Sequence, residues 1–157
     1  MPPAFKRVPA VDKCFAILEL LAKAKKPFVV YLPYTATHFP TMPHPDFKGK
    51  SGKGRWGDLL MQIDSYVGEL LATVDDLGIK ENTIFVFTAD NGPESLGTDE
   101  TNLTADTAVH GTAGPWRSSL FAGYVSAMRV PTLIRLPARL KGERETGAIV
   151  PDMRAFP

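Results

Sequence analysis

A long amphipathic segment between two short apolar runs is the feature that most constrains the fold. Residues 56–77 place apolar side chains three or four positions apart along one stripe, and Gly78 follows where a helix-ending glycine is expected. The flanking runs, PFVVYLPY at 27–34 and TIFVFTA at 83–89, have the composition of buried strands. The order strand, helix, strand predicts a βαβ crossover with two parallel strands.

The rest of the chain adds a helix, a third strand and two loops. Helical spacing begins near Val11, and the lysines before Pro27 suit the end of that helix. Residues 131–137 form a third strand candidate, and the glycine-rich, basic segment 48–57 indicates a flexible surface loop. Residues 93–117 are polar without a clear period, which is typical of a functional loop. The expected class is α/β, with a mainly parallel sheet flanked by helices.

Length and charge are those of one ordinary globular domain and do not point to nucleic acid or a membrane as partner. A chain of 157 residues fits one domain, and its net charge of +1 gives no reason to expect nucleic acid or an anionic membrane surface as partner. No apolar run reaches transmembrane length, and the N-terminal segment lacks the form of a signal peptide. The single cysteine excludes an internal disulfide framework. Localisation and oligomeric state stay open.

The second apolar run ends in Asp90, Asn91 and Gly92. Ligands of parallel α/β sheets bind beyond the carboxyl ends of the strands, and His38 follows the first run in the same way. A carboxylate beside a carboxamide offers the oxygen ligands that calcium or magnesium prefers. An Asx-Gly pair is also a common turn signal, in which Asp90 would cap its own backbone. Taken from the residues alone, both interpretations stay open.

The histidines and arginines near these segments are candidates for binding an anion. His38 suits a general acid or an anion donor, although the residue taken alone favours a loop histidine bonded to backbone. His110 lies in a glycine-rich approach to Arg117, where either could bind an anion. Arg129 and Arg135 flank or interrupt an apolar stretch and could instead be structural.

Four segments, in this order, resemble the sulfatase family of the alkaline-phosphatase-like superfamily. The ordered set is far more specific than each segment taken alone, and it covers roughly residues 25 to 147. The resemblance implies that the whole chain, 1–157, is a partial alkaline-phosphatase-like domain of the sulfatase type. The segments are KPFVVYLPYTATHFP at 26–40, the stretch from Gly57 to Glu94, HGTAGPWR at 110–117 and RVPTLIRLP at 129–137.

The resemblance assigns roles to individual residues. It implies that Asp90 and Asn91 supply two ligands of an active-site calcium, and that His38 contacts the sulfate ester and assists the leaving group. It makes His110 and Arg117 candidates for substrate binding. The implied reaction is hydrolysis of a small-molecule or glycan sulfate ester.

Two departures from the family pattern limit this expectation. The family's nucleophile is a formylglycine made within a Cys/Ser-x-Pro-x-Arg motif, which these 157 residues do not contain; Cys14 is followed by Phe-Ala-Ile-Leu. We therefore expect the middle-to-late part of a sulfatase, inactive by itself and with an incomplete calcium site. Further along, Leu120 and Val125 stand where a sulfate-binding lysine and a glutamate are common, and Ser126 and Ala127 replace two glycines.

Two other functions remain possible at this stage. The chain could be a non-catalytic sulfatase-like remnant, either a binding module or a fragment that completes a partner chain. It could also belong to a related phosphoryl-transfer hydrolase, but those enzymes usually bind two metals through additional aspartates and histidines. With three histidines in the chain, that alternative ranks third.

Overall fold

The computed structural model contains helices and a small β-ribbon. Helix α1 spans Pro9–Lys23, α2 spans Gly54–Asp76 and a 3₁₀ turn spans Lys80–Asn82; strand β1 covers Phe85–Thr88, the short helix α3 covers Val125–Met128 and strand β2 covers Thr132–Arg135. The structure describes residues 9–35, 38, 41–93, 112–117, 123–142 and 144–147. Within these ranges no helix is long and apolar enough to cross a membrane.

Helix α2 ends as the sequence predicts. Gly78 has φ +69°, a left-handed conformation that favours glycine. Its N–H donates to the carbonyl of Asp75 at 3.0 Å, and the N–H of Ile79 donates to the carbonyl of Val74 at 3.3 Å. This pair of hydrogen bonds is the Schellman motif, which closes the helix and satisfies its last carbonyls. The chain then turns through Lys80–Asn82 into β1.

The core lies between α1, α2 and the loop that precedes α2. Tyr66 is its largest fully buried side chain, and its ring meets the Phe47 ring edge-on, with centroids 6.1 Å apart. The predicted first helix is confirmed, although it begins at Pro9 rather than Val11 and ends at Lys23. The cluster consists of Phe15, Leu18, Phe47, Tyr66, Leu70 and Val74.

The predicted buried strand at 27–34 is wrong. The segment has no sheet partner among the described residues, and its side chains alternate instead. Phe28, Leu32 and Tyr34 pack against the core cluster, whereas Val29 and Tyr31 are 91% and 85% exposed. One face of the segment therefore contacts the helices, and the other face is uncovered.

The sheet that forms is a two-stranded antiparallel ribbon. Strands predicted at 83–89 and 131–137 are confirmed as β1 and β2, and they pair with Phe85 opposite Arg135 and Thr88 opposite Thr132. The predicted parallel pairing of 27–34 with 83–89 does not form in the described residues, because the first segment contributes side chains to the helical core rather than backbone to β1. A mainly parallel sheet is thus not part of the described structure.

The ribbon lies over one face of α2 with a gap between them. An apolar cleft of about 370 Å³ separates the helix from the strands, with Leu60 and Val67 on one side and Phe87 and Leu133 on the other. At the end of the cleft, Arg135 Nη2 donates to both carboxylate oxygens of Asp75, at 2.7 and 3.0 Å. Arg135 therefore has a structural role, one of the two considered for it.

The basic loop before α2 is held in place by a helix carboxylate. Asp58 is 2% exposed and accepts hydrogen bonds from the N–H of Gly49 at 2.7 Å and of Ser51 at 2.9 Å. Burial opposes the charge of Asp58, but hydrogen bonds from the Ser51 side chain and from the backbone of Ser51, Gly49 and Lys50 outweigh it and lower the pKa of this carboxyl. The prediction of a flexible loop overlooked this anchor.

Candidate functional site

Asp90 and Asn91 lie directly after β1, on a turn at the end of the ribbon. Asp90 is exposed, and no hydrogen bond or ion pair is found for its carboxylate within the described residues. Asn91 is half-buried, and its Nδ2 donates to the carbonyl of Gly92 at 2.9 Å. That bond orients the carboxamide and leaves its oxygen available as an acceptor or metal ligand.

Glycine is required at position 92 because the backbone of α3 lies very close to it, and not because of an unusual φ angle. Its φ lies outside the left-handed region, yet a Cβ at this position would overlap the carbonyl oxygen of Ser126. The N–H of Gly92 donates to the carbonyl of Ala127 at 2.7 Å. The turn is therefore pressed against the backbone of α3, at a distance that only glycine permits.

Ser126 connects the same turn to a third segment. The residue is 1% exposed, and its Oγ donates to the backbone carbonyl of Arg117. Three sequence segments thus meet at α3: the Asp90–Gly92 turn, residues 112–117 and the start of 129–137. These belong to three of the four segments whose order carried the sulfatase resemblance.

Two arginines in these segments stack on aromatic rings. The Arg117 guanidinium carbon lies 4.7 Å from the centroid of the Tyr124 ring, and that of Arg129 lies 4.3 Å from the centroid of the Trp116 ring. Both distances are typical of cation–π contacts. Residues 116–117 and 124–129 are therefore joined by two such pairs as well as by the Ser126 hydrogen bond.

Within the described residues, His38 makes no hydrogen bond with the Asp90–Gly92 turn. Its side chain is exposed, and its N–H donates to the carbonyl of Thr35 at 3.1 Å. None of the hydrogen bonds found for residues 90–92 involves His38. His110 and Leu120 lie outside the described residues.

The side-chain oxygens of Asp90 and Asn91 are the type of ligand that a hard cation prefers, but they are too few to complete its coordination shell. A carboxylate and a carboxamide oxygen are ligands that calcium accepts, and calcium takes six to eight oxygens. Among the described residues, no group of three or more histidine, cysteine or acidic side chains could hold a metal ion. Asp90 and Asn91 therefore form at most part of a coordination shell.

The interlock between Gly92 and α3 was missed by sequence reasoning. Ser126 and Ala127 were noticed only as departures from the family pattern, although two consecutive small residues are what a close backbone approach needs. Val125, another departure, is the first residue of α3 and is 47% exposed. A small pair opposite an Asx-Gly turn was the available signal, but it does not reveal its partner without coordinates.

Comparison with family models identifies the chain. The sulfatase family model matches residues 10–152, nearly the whole sequence. The chain therefore belongs to the sulfatase family.

Individual relatives agree with this assignment. The chain is 33% identical over 126 residues to an N-acetylgalactosamine-6-O-sulfatase of Bacteroides thetaiotaomicron, covering 80% of this chain and 25% of the relative. It is 42% identical over 81 residues to human arylsulfatase A, covering 50% of this chain and 16% of that protein. The chain thus spans a quarter or less of the length of these two relatives.

Solved structures show the fold. A structure from work on the metabolism of multiple glycosaminoglycans by Bacteroides thetaiotaomicron superposes with a TM-score of 0.71 at 32% identity, covering 83% of this chain and 27% of that one. Ps i-CgsB in complex with k-i-k-neocarrahexaose gives a TM-score of 0.63 at 22% identity, covering 81% of this chain and 27% of that one, which supports the fold alone. The described helices and small two-stranded sheet are part of an alkaline-phosphatase-like domain.

Proposed function

We propose that this chain carries one side of the active site of a sulfuric ester hydrolase. The observation that supports the proposal is the meeting of three segments at α3. There the N–H of Gly92 bonds to Ala127 and Ser126 bonds to the carbonyl of Arg117. A turn with oxygen ligands and a segment with a guanidinium are thereby held together. A sulfate ester offers the complementary chemistry, anionic oxygens for both the cation and the guanidinium.

The roles proposed for these residues follow from their chemistry. Asp90 and Asn91 would hold a calcium ion through their side-chain oxygens, with further ligands from beyond the described residues. Calcium, when bound, supplies positive charge against the sulfate oxygens. Arg117 and His110 would donate hydrogen bonds to the sulfate, and His38 would contact the ester or give a proton to the departing oxygen.

The first prediction concerns hydrolysis by the protein expressed from its complete reading frame. Replacing Asp90 with alanine removes the one carboxylate of the turn, so we expect kcat/KM for 4-nitrophenyl sulfate to fall by about 100-fold or more. Asp64→Ala, which removes an exposed carboxylate on α2, should leave kcat/KM within about 2-fold. Equal rates in the Asp90 variant and the wild type would refute the metal-binding role.

The same variants give a readout that is independent of turnover. If Asp90 and Asn91 bind calcium in the complete protein, added calcium raises its melting temperature, because a ligand that binds the folded state stabilises it. The rise should vanish in Asp90→Ala and persist in Asp64→Ala. A calcium shift without hydrolysis of any sulfate ester would support the alternative of a binding module.

The 157 residues by themselves are proposed to be inactive. They contain no Cys/Ser-x-Pro-x-Arg sequence from which a formylglycine nucleophile is made. Turnover of 4-nitrophenyl sulfate by the isolated chain, well above that of its His38→Ala variant, would contradict this part of the proposal.

A further inference from the structure

Ser126 is buried in α3 and contacts two segments of the proposed site. The residue is 1% exposed, and its Oγ donates a hydrogen bond to the backbone carbonyl of Arg117. Its own carbonyl oxygen lies against Gly92, where a Cβ would otherwise stand. Ser126 therefore touches the turn through its main chain and the arginine segment through its hydroxyl.

The hydroxyl of Ser126 and the carbonyl of Arg117 depend on each other. Within the described residues, Ser126 Oγ bonds to this carbonyl alone, and no other donor reaches the carbonyl. A buried hydroxyl without a partner is unfavourable, so this bond is what allows a serine at a buried position of α3. Removing the hydroxyl leaves the Arg117 carbonyl without a protein donor.

Arg117 is held at a second point by its own side chain. Its guanidinium carbon lies 4.7 Å from the centroid of the Tyr124 ring, and Tyr124 is the residue that precedes α3. A guanidinium stacked in this way keeps its edge N–H groups able to donate, and Arg117 forms no ion pair among the described residues. The backbone contact and the ring contact together fix where these donors lie.

The turn is held by the same part of α3. The N–H of Gly92 donates to the carbonyl of Ala127 at 2.7 Å. Ser126 and Ala127 stand where the family pattern has two glycines, and a glycine has no side chain that could bond to Arg117. The hydroxyl is therefore a contact that this chain adds to the family pattern.

We propose that Ser126 is a positioning residue, whose hydroxyl holds Arg117 in a fixed place relative to the Asp90–Gly92 turn. The inference rests on the proposed function, because it states how that site holds one of its anion-binding groups. A guanidinium that is already in place loses less conformational freedom when it binds an anion, so loss of the hydroxyl weakens sulfate binding. The contact with Gly92 is made by the main chain, so the turn stays against α3 in Ser126→Ala.

The first test is a double-mutant cycle in the protein expressed from its complete reading frame. Ser126→Ala should raise KM for 4-nitrophenyl sulfate by about 10-fold and leave kcat within about 2-fold, which is the pattern of lost substrate binding. Arg117→Ala should raise KM at least as much. Adding Ser126→Ala to it should raise KM no further, because the hydroxyl acts through that arginine. A merely structural role would add its effect in both backgrounds.

The control variant removes a comparable hydrogen bond from α2. Thr73 Oγ1 donates to the carbonyl of Glu69 at 2.9 Å, and Thr73→Val deletes this bond at nearly constant volume. KM should be unchanged in this control. Calcium should raise the melting temperature of Ser126→Ala as it does that of the wild type, because the turn keeps its side chains and its contact with α3.

The second test needs no turnover. In the 157-residue chain, inorganic sulfate should shift the NMR signal of the Arg117 Nε–H group, which Arg117→Lys identifies by its loss. The dissociation constant from this titration should be about 10-fold higher in Ser126→Ala than in the wild type. Circular dichroism verifies that the helices persist in each variant.

Three results would overturn the positioning role. They are an unchanged KM in Ser126→Ala, an equal rise in KM with and without Arg117, and a sulfate response of Arg117 that is absent or the same in wild type and variant. Failure of the hydrolase is seen separately, as no turnover by the wild-type protein, and the sulfate titration then decides the role of Ser126. Turnover by the wild type with a normal KM in Ser126→Ala leaves the hydrolase standing and refutes the positioning role.

Discussion

The helical core and the α3 region are held together by different forces. Around Tyr66, the cluster of α1, α2 and the preceding loop consists of buried apolar side chains. At α3, the buried residue is Ser126, and the contacts are backbone hydrogen bonds and arginines over exposed rings. Removal of apolar area from water stabilises the first region, whereas the second depends on geometry and on polar partners.

Because of this difference, the side chains that stabilise the fold and those that could bind a ligand lie in different regions. A region with little buried apolar area contributes little to the free energy of unfolding, so its side chains are free to serve a ligand. The reverse holds for the core, where buried apolar side chains pack against each other. Substitutions in the two regions should therefore change different measurements.

The largest effect is expected in the core. Tyr66→Ala empties a position that is 2% exposed and removes the edge-on contact with Phe47, so we expect a loss of about 3–5 kcal/mol in the free energy of unfolding. Urea denaturation followed by circular dichroism measures it. The matched control is Leu20→Ala, at a residue of α1 that is 67% exposed. It should lower the free energy of unfolding by less than about 1 kcal/mol. Similar losses in both variants would mean that Tyr66 does not anchor a core.

A smaller, pH-dependent effect is expected at Asp58. The pKa of Asp58 is lowered in the folded state, so its contribution is complete above the unfolded value near 3.9 and disappears as pH falls through the folded value. At pH 7, Asp58→Asn should cost about 2 kcal/mol, because loop N–H groups lose a charged acceptor. The deficit relative to wild type should shrink as pH falls below about 4.

The control for this prediction is another acid on the same helix. Asp64 is exposed, so Asp64→Asn should change stability by less than about 0.5 kcal/mol at pH 7. Urea titrations of the three proteins between pH 7 and pH 3 make the comparison. A deficit for Asp58→Asn that stays constant across this range would exclude the charge as its source.

At Gly92 we expect the smallest change in the free energy of unfolding, together with a large local change in NMR chemical shifts. Gly92→Ala places a Cβ where the Ser126 carbonyl lies, so α3 must move away from the turn. We expect large NMR shift changes at Ser126 and Ala127, with a change in unfolding free energy below about 1 kcal/mol. Gly68→Ala, where a Cβ meets no atom within 4 Å, should leave those signals in place and stabilise α2 by about 0.5–1 kcal/mol. Unchanged shifts in Gly92→Ala would show that the close approach is not kept in solution.

Local patterns predicted much of the fold. The stripe at 56–77 with Gly78 led to α2 and its Schellman ending, because helix periodicity and a left-handed glycine are encoded within a few residues. The runs at 83–89 and 131–137 led to β1 and β2 for a similar reason. The strand pairing was predicted wrongly, as 27–34 parallel to 83–89 rather than β1 antiparallel to β2, because pairing depends on residues far apart in sequence. The run at 27–34 illustrates this limit, since its composition suits a strand but it pairs with no strand in the described part of the chain.

The candidate site likewise contains residues that the sequence predicted and contacts that it did not. Asp90 and Asn91 were predicted as candidate ligands because a carboxylate and a carboxamide follow a strand, which is a local signal. The buried hydroxyl of Ser126 and its bond to Arg117 were not predicted, since a serine gives no sign of burial in sequence. The stacking of Arg129 on Trp116, thirteen positions away, was equally hidden.

The thin β1–β2 ribbon has a consequence for the site it carries. Leu133 and Ile134 are 67% and 56% exposed, and the cleft beneath the ribbon leaves part of its inner face without contacts. Backbone amides of such an element exchange with solvent through small local openings, ahead of those in α2. Asp90 and Asn91 continue directly from β1, so each opening of the ribbon displaces them as well. A bound cation or sulfate that held the turn against α3 would slow hydrogen exchange along the whole ribbon.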